Sequence, residues 1–260
     1  MLLDEFNEND REIITPEMTI GEKASNFPAI TISCFSDELL NSVLASLPHK
    51  EIVSISGANG LNPVYEIFYK EKRFAIYRSP VGEPNCIGDY EELLYHGSRC
   101  LILFGNCGVL KKSIDDCGII IPTNALRDEG TSYHYAPASD SIPVNHKYIS
   151  EFKEVLQEHG YDCTEGTTWT TDAFYRETAE KMERRKNQGA ICVEMECAGM
   201  QALCDFRHTD LFTFFYAGDT LAHTIWNSRS LDNFTNVDTK TQIAYLAFEL
   251  GLKIFSQYQQ

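Results

Sequence analysis

The chain has 260 residues, 43% hydrophobic and 23% charged, which supplies a core for one large α/β domain or two small ones. This composition excludes a disordered or collagen-like chain. Its 22 Lys and Arg against 38 Asp and Glu give a formal net charge of -16, which repels a duplex phosphate backbone and excludes a nucleic-acid polymer as expected partner.

No apolar run approaches the roughly 18 residues that cross a bilayer. The N-terminus, MLLDEFNENDREI, is acidic where a secretory signal is basic and then apolar. A soluble, cytoplasmic protein without membrane contact is expected. Nine scattered cysteines, without a CxxC pair, read as reduced core thiols rather than a zinc or disulfide framework.

In chain order, residues 1–30 read as a polar arm on a single domain spanning 1–260. Strands are expected at Glu51–Ser56, Val64–Tyr69, Arg73–Arg78, Cys100–Phe104, Gly118–Pro122 and Leu211–Ala217, short runs rich in Ile, Val, Phe and Tyr. Asn59-Gly60 suits a hairpin turn between the first two. Helical patterns cover Asp89–His96, His146–His159, Ala179–Asn187 and Glu196–Phe206. A last helix carries Ile243, Leu246, Ala247, Leu250 and Ile254 on one face. Alternating strands and helices with an early hairpin predict an α/β layered fold around a mixed sheet.

Walker A, HExxH, GxSxG and GxGxxG patterns are absent. Three other segments stand out. In LILFGNCGVL (101–110), a buried strand is expected to end in a tight turn, Gly105-Asn106-Cys107-Gly108, either with its backbone N–H groups facing an anion or as an ordinary strand-to-loop turn. In GAICVEMECAGMQALC (189–204), Glu194 and Glu196 flank Met195 in an apolar stretch. Either could grip vicinal hydroxyls such as those of a ribose, or serve the dipole of the following helix. In LFTFFYAGDTLAH (211–223), an apolar strand delivers Asp219, either as a general acid with a raised pKa or as a helix cap.

Together these segments resemble the nucleoside phosphorylase superfamily, which holds purine nucleoside phosphorylases, uridine phosphorylases and methylthioadenosine nucleosidases. VEMECAG is similar to the family's VEME segment, GNCGV to its phosphate loop and AGDTL to the Ser-Asp turn of the purine branch. RDEGTSYHYAP (127–137) and TTWTTDAFYRET (167–178) match the region between, and the likeness runs from about Ile52 to the C-terminus.

The resemblance implies a three-layer α/β/α sandwich around a mixed, partly barrelled central sheet. It also implies cleavage of the N-glycosidic bond of a nucleoside by phosphorolysis, giving free base and ribose 1-phosphate. Carried over, Met195 lies under the sugar, Glu196 binds its hydroxyls, and Phe174, Val193 and Glu194 line the base pocket. Asp219 protonates N7, which favours a purine. The uracil-gripping Gln and Arg of uridine phosphorylases are missing from the stretch Arg176–Glu180. No metal or organic cofactor is implied. Inorganic phosphate is the co-substrate, and a homo-oligomer, dimer or hexamer, is expected.

The departures concern phosphate. The family's early GDPxR segment corresponds to ITISCFSDELL, without Arg, and the Arg before the loop corresponds to Leu103. GANGLNP offers no counterpart of the arginine lent by a neighbouring subunit. Asn106 and Gly105 remain as phosphate contacts, with Arg78 or Arg127 as substitutes for the missing guanidinium. Two alternatives stand beside phosphorolysis. One is a hydrolase in which Asp37 or Glu38 activates water, the competing role for both being the acidic first turn of a helix capped by Ser36. The other is a nucleoside-binding protein without catalysis.

Overall fold

The computed structural model describes residues 3, 5–222, 225–232 and 234–259. Its strands are β1 (Ile30–Cys34), β2 (His49–Gly57), β3 (Gly60–Tyr69), β4 (Lys72–Arg78), β5 (Cys100–Val109), β6 (Ile119–Asp128), β7 (Ser141–Pro143), β8 (Cys163–Thr171), β9 (Ala190–Glu194) and β10 (Asp210–Thr220). The helices are α1 (Pro16–Ile20), α2 (Asp37–Ser46), α3 (Glu83–His96), α4 (Ile149–Glu158), α5 (Ala179–Asn187), α6 (Cys197–Phe206) and α7 (Val237–Ile254).

All ten strands join one mixed sheet. β10 pairs with β6 on one side and β5 on the other, and the path β10-β6-β8-β9-β5 therefore closes into a five-strand barrel. From β5 the sheet continues through β1, parallel to both β5 and β4, and then from β4 into the antiparallel hairpin of β3 and β2. The partly barrelled mixed sheet expected from the family likeness is present.

Alternation along the strands assigns the two faces. Ile30, Ile32, Cys100, Ile102, Phe104, Phe212 and Phe214 pack against α2, α4 and α7. On the other face Ala75, Tyr77, Leu101 and Leu103 meet α3 and α6. The apolar stripe Ile243, Leu246, Ala247, Leu250 and Ile254 of α7 is buried as its spacing predicts.

Several expectations are corrected. The segment 105–108 is not a turn: β5 runs on to Val109, bonded to β10 along its length and to β9 at Gly108 and Val109. Its backbone belongs to a ladder rather than to an anion-binding turn. The apolar pattern does not announce β1, β7, β8 or β9. β8 reads CTEGTTWTT, and two of its threonines serve the start of α6. α3 starts at Glu83 rather than Asp89, with Pro84 in its first turn, and α4 starts at Ile149. The N-terminal arm contains the short helix α1 and lies on the surface of its own chain. Phe6 packs edge-on to Phe206 at 6.3 Å, and Glu12 pairs with Arg207 at 2.5 Å. All nine cysteines are free, seven of them buried. Among the described residues, no helix is long and apolar enough to cross a membrane.

Candidate active site

The first turn of α6 explains much of the VEME segment. A helix begins with four backbone N–H groups that lack intrahelical partners. Here every one has a side-chain acceptor from another position. Glu194 Oε2 accepts from Glu196 N at 2.8 Å and Cys197 N at 2.7 Å. Thr170 Oγ1 accepts from Ala198 N at 3.2 Å, and Glu83 Oε1 from Gly199 N at 2.7 Å. The other Glu194 oxygen accepts the hydroxyls of Thr168 and Thr170 at 3.2 and 2.6 Å. Glu194 is thus a capping carboxylate with both oxygens engaged, a role that differs from the expected place in a base pocket.

With its helix end satisfied by others, Glu196 directs its side chain outward to α3. Its Oε1 accepts the amide hydrogen of Gly82 at 2.6 Å. Gly82 has φ +96°, in the region that favours glycine. Glu196 is buried, and burial together with the neighbouring Glu194 pushes its carboxyl up to about 8. A desolvated carboxyl held by the backbone of Gly82 and Met195 keeps acceptor sites for further hydroxyls.

Asp219 sits near the end of β10, just past a register shift at Gly218 that re-aims the strand. Among the described residues it caps no helix, the next one, α7, beginning at Val237. Its partner in register is Gly108 of β5, which also pairs with Val193 of β9. A Cβ on Gly108 would lie 3.0 Å from Asp219 Oδ1, 3.1 Å from Val193 Cγ1 and 2.8 Å from Leu221 Cδ1. The missing side chain is therefore what lets Asp219 and Val193 both close over this position of β5. Asp219 Oδ2 accepts the indole N–H of Trp226 at 2.6 Å. Burial raises the Asp219 carboxyl, while Trp226 and Arg229 pull it down. The buried Cys107 thiol feels both Glu194 and Asp219, which places the ends of β9 and β10 at one corner of the barrel.

Phe174 lies on the turn after β8, half-exposed, its ring 4.1 Å from that of Tyr175. Three residues on, Glu177 is pushed up to about 7 by burial and then by Asp219, so this turn borders the same acid. Met195 is half-buried between the two glutamates.

On the anion side, Asn106 is exposed, whereas Gly105 is covered: a Cβ there would stand 2.7 Å from the Phe35 ring. Arg78 ends β4 opposite Cys34 of β1 and pairs with Asp37 at 3.2 Å. Arg127 is buried, donating to Ser132 Oγ and to the Pro137 carbonyl, each at 2.7 Å, and stacked on Tyr133. It braces the 127–137 loop and is no substitute phosphate ligand. Leu103 is core. Ser36 caps α2 by accepting from Leu39 N at 3.3 Å, with Asp37 and Glu38 in its acidic first turn. Their position is the capping one.

Sequence reasoning missed Glu83, Glu177, Thr170 and Trp226. Glu83 lies in a polar stretch without a motif, while Thr170 and Glu177 lie within TTWTTDAFYRET, a segment that assigns neither a role. The one signal for Trp226 is that a tryptophan follows AGDTLAH in an otherwise polar segment.

Residues 29–248 match the phosphorylase superfamily, and the chain belongs to that superfamily. Among curated proteins, DeoD-type purine nucleoside phosphorylases of Bacillus cereus and Bacillus thuringiensis are each 28% identical over 137 residues, 52% of this chain. The chain spans 58% of the length of these relatives. Among solved structures, purine nucleoside phosphorylase from Toxoplasma gondii in complex with immucillin-H shares the fold. Its TM-score is 0.71 at 18% identity, over 90% of this chain and 92% of that one.

Proposed function

We propose that this protein is a nucleoside phosphorylase that cleaves the N-glycosidic bond of a nucleoside, purine preferred, with inorganic phosphate. The observation that carries the reading is the corner around Gly108. There a buried carboxyl with a raised pKa, Asp219, and Val193 close over the same glycine, with Glu196 two residues past the end of β9.

In this reading a phosphate oxygen forms a bond to C1′ as the bond from C1′ to the base nitrogen breaks. The electron pair of that bond passes into the base, and Asp219 delivers a proton to the imidazole nitrogen N7. Glu196 accepts hydrogen bonds from the ribose hydroxyls and steadies the sugar as it gains oxocarbenium character, over Met195. Phe174 and Val193 flank the base. Arg78 at the end of β4 and Asn106, three residues past the part of β5 that pairs with β1, hold phosphate. The Arg78–Asp37 pair is exposed, and such pairs contribute only about 0–1 kcal/mol, so phosphate can compete for the guanidinium. The likeness to the family supports a homo-oligomer as the working assembly.

The test is release of free base from inosine, adenosine, uridine and methylthioadenosine, with and without phosphate. Strict dependence on phosphate and preference for purines are expected. Release without phosphate overturns phosphorolysis in favour of hydrolysis. Binding without release overturns catalysis.

A further inference from the structure

The chain beyond β10 folds back onto the strand it has just left. Thr220 and Asn227 exchange backbone hydrogen bonds, N to O at 2.9 and 3.2 Å. The segment after Asn227 is anchored from three sides. Arg229 Nη1 donates to the Ile114 carbonyl at 3.0 Å, and Ser230 Oγ to Asp116 at 2.7 Å. Lys240 of α7, itself buried, donates to the carbonyls of Ser230 and Asp232 at 2.5 and 2.6 Å. A lysine withdrawn from water to hold two loop carbonyls points to a segment whose position matters.

This anchoring presents Trp226 to the candidate acid. Trp226 is 57% exposed as a residue, so burial alone does not hold its ring in place, and its indole N–H is tied to Asp219 Oδ2. The two carboxyl oxygens of Asp219 thereby become unequal. Oδ2 faces the indole, and Oδ1 lies over Gly108 on the side of Val193.

We propose that Trp226 is a positioning residue for Asp219, whose indole N–H occupies Oδ2 and so keeps the acidic proton on Oδ1, the oxygen turned toward the base. An indole nitrogen donates and never accepts, so Oδ2 is the acceptor in this contact and Oδ1 carries the proton when the acid is neutral. The inference rests on the reading of Asp219 as the acid of nucleoside cleavage. Its chemistry adds no reactant: the proton on Oδ1 moves to N7, and the carboxylate left behind retains the indole donor.

Trp226→Phe keeps an aromatic ring and removes only the donor. For a purine nucleoside, kcat is expected to fall about tenfold with little change in KM, the equivalent of one hydrogen bond to a charged group. The alkaline limb of the kcat profile is expected to move up by about one pH unit, because the lost donor favoured the carboxylate. The other groups around Asp219 are Arg229, Glu177 beyond β8 and Cys107 of β5, with Lys181 acting on Glu177 and Glu194 on Cys107. They are the same in both proteins, so the shift reports the indole. A nitrophenyl riboside, whose leaving group departs without a proton, is expected to be cleaved equally by both proteins. Trp226→Gln, which restores an N–H donor, is expected to recover part of kcat. An unchanged kcat and pH profile for Trp226→Phe overturns the proposal while leaving the proposed activity intact. Equal loss on both substrates overturns it in favour of a structural role. A wild-type protein that releases base from no nucleoside overturns the activity and this inference together.

Discussion

Glu83 Oε1 reaches Gly199 N at 2.7 Å, and this contact exists only because residue 199 lacks a side chain. A Cβ there would stand 2.5 Å from the Glu83 carboxyl carbon. The first residue of α3 and the first turn of α6 are thereby locked together. Gly82, next to Glu83, holds Glu196, next to α6, in a parallel contact. The carboxyl proposed to face the sugar is therefore positioned by two helix ends at once.

Gly199→Ala tests that lock. Alanine is the better helix former by about 1 kcal/mol, so an isolated helix gains from the change. Here the methyl group collides with a buried carboxyl and leaves a backbone donor unpaired. A net loss of about 2 kcal/mol is expected in urea unfolding. A midpoint equal to or above wild type removes the contact from the account of α6.

Gly108→Ala addresses the corner itself. Its methyl group would press on Leu221, Val193 and Asp219 Oδ1 together, and the acid must turn away from the base side. Base release is expected to fall by about two orders of magnitude, while the far-ultraviolet circular dichroism of the folded protein stays the same. Retained turnover rules out the corner as the reacting centre.

Asp219→Asn keeps the shape of the side chain and its contact to Trp226 but offers no acidic proton. Purine release is expected to drop by about two orders of magnitude or more, as for loss of a general acid. Turnover equal to wild type would falsify the assignment of the proton donor.

Stability should depend on pH through Glu196. Its carboxyl titrates near 4.5 when solvated and at about 8 in the folded protein. Between those values the folded state holds a proton that the unfolded chain has released. Stability therefore falls as pH rises through this window and levels off above it, by an amount on the order of a few kcal/mol. Glu196→Gln, an isostere of the neutral acid, is expected to reduce the slope of the urea midpoint between about pH 5 and about pH 8. An identical slope in both proteins excludes Glu196 as its source.

Local pattern alone determined the elements whose residues face one environment along their whole length. The 3.6-residue stripe of α7 is of this kind, because burial of one face imposes its period, and so are the β-branched and aromatic runs of β4 and β10, which are buried on both faces. The VEME segment drew attention to Glu194 and Glu196 but left the role of each open. Tertiary structure decided what depends on partners distant in the chain. β10 closes the barrel by pairing with both β5 and β6, a matter of register and strand twist. The same ladder turned an expected Gly-Asn-Cys-Gly turn into continuous strand, since two paired neighbours outweigh the turn preference of glycine. Glu194 and Glu196 are two residues apart in one motif, yet one caps a helix and the other faces α3. That division is set by Thr170, Glu83 and Gly82, which packing alone brings to them, just as the fold-back at Thr220 and Asn227 alone sets Trp226 on Asp219.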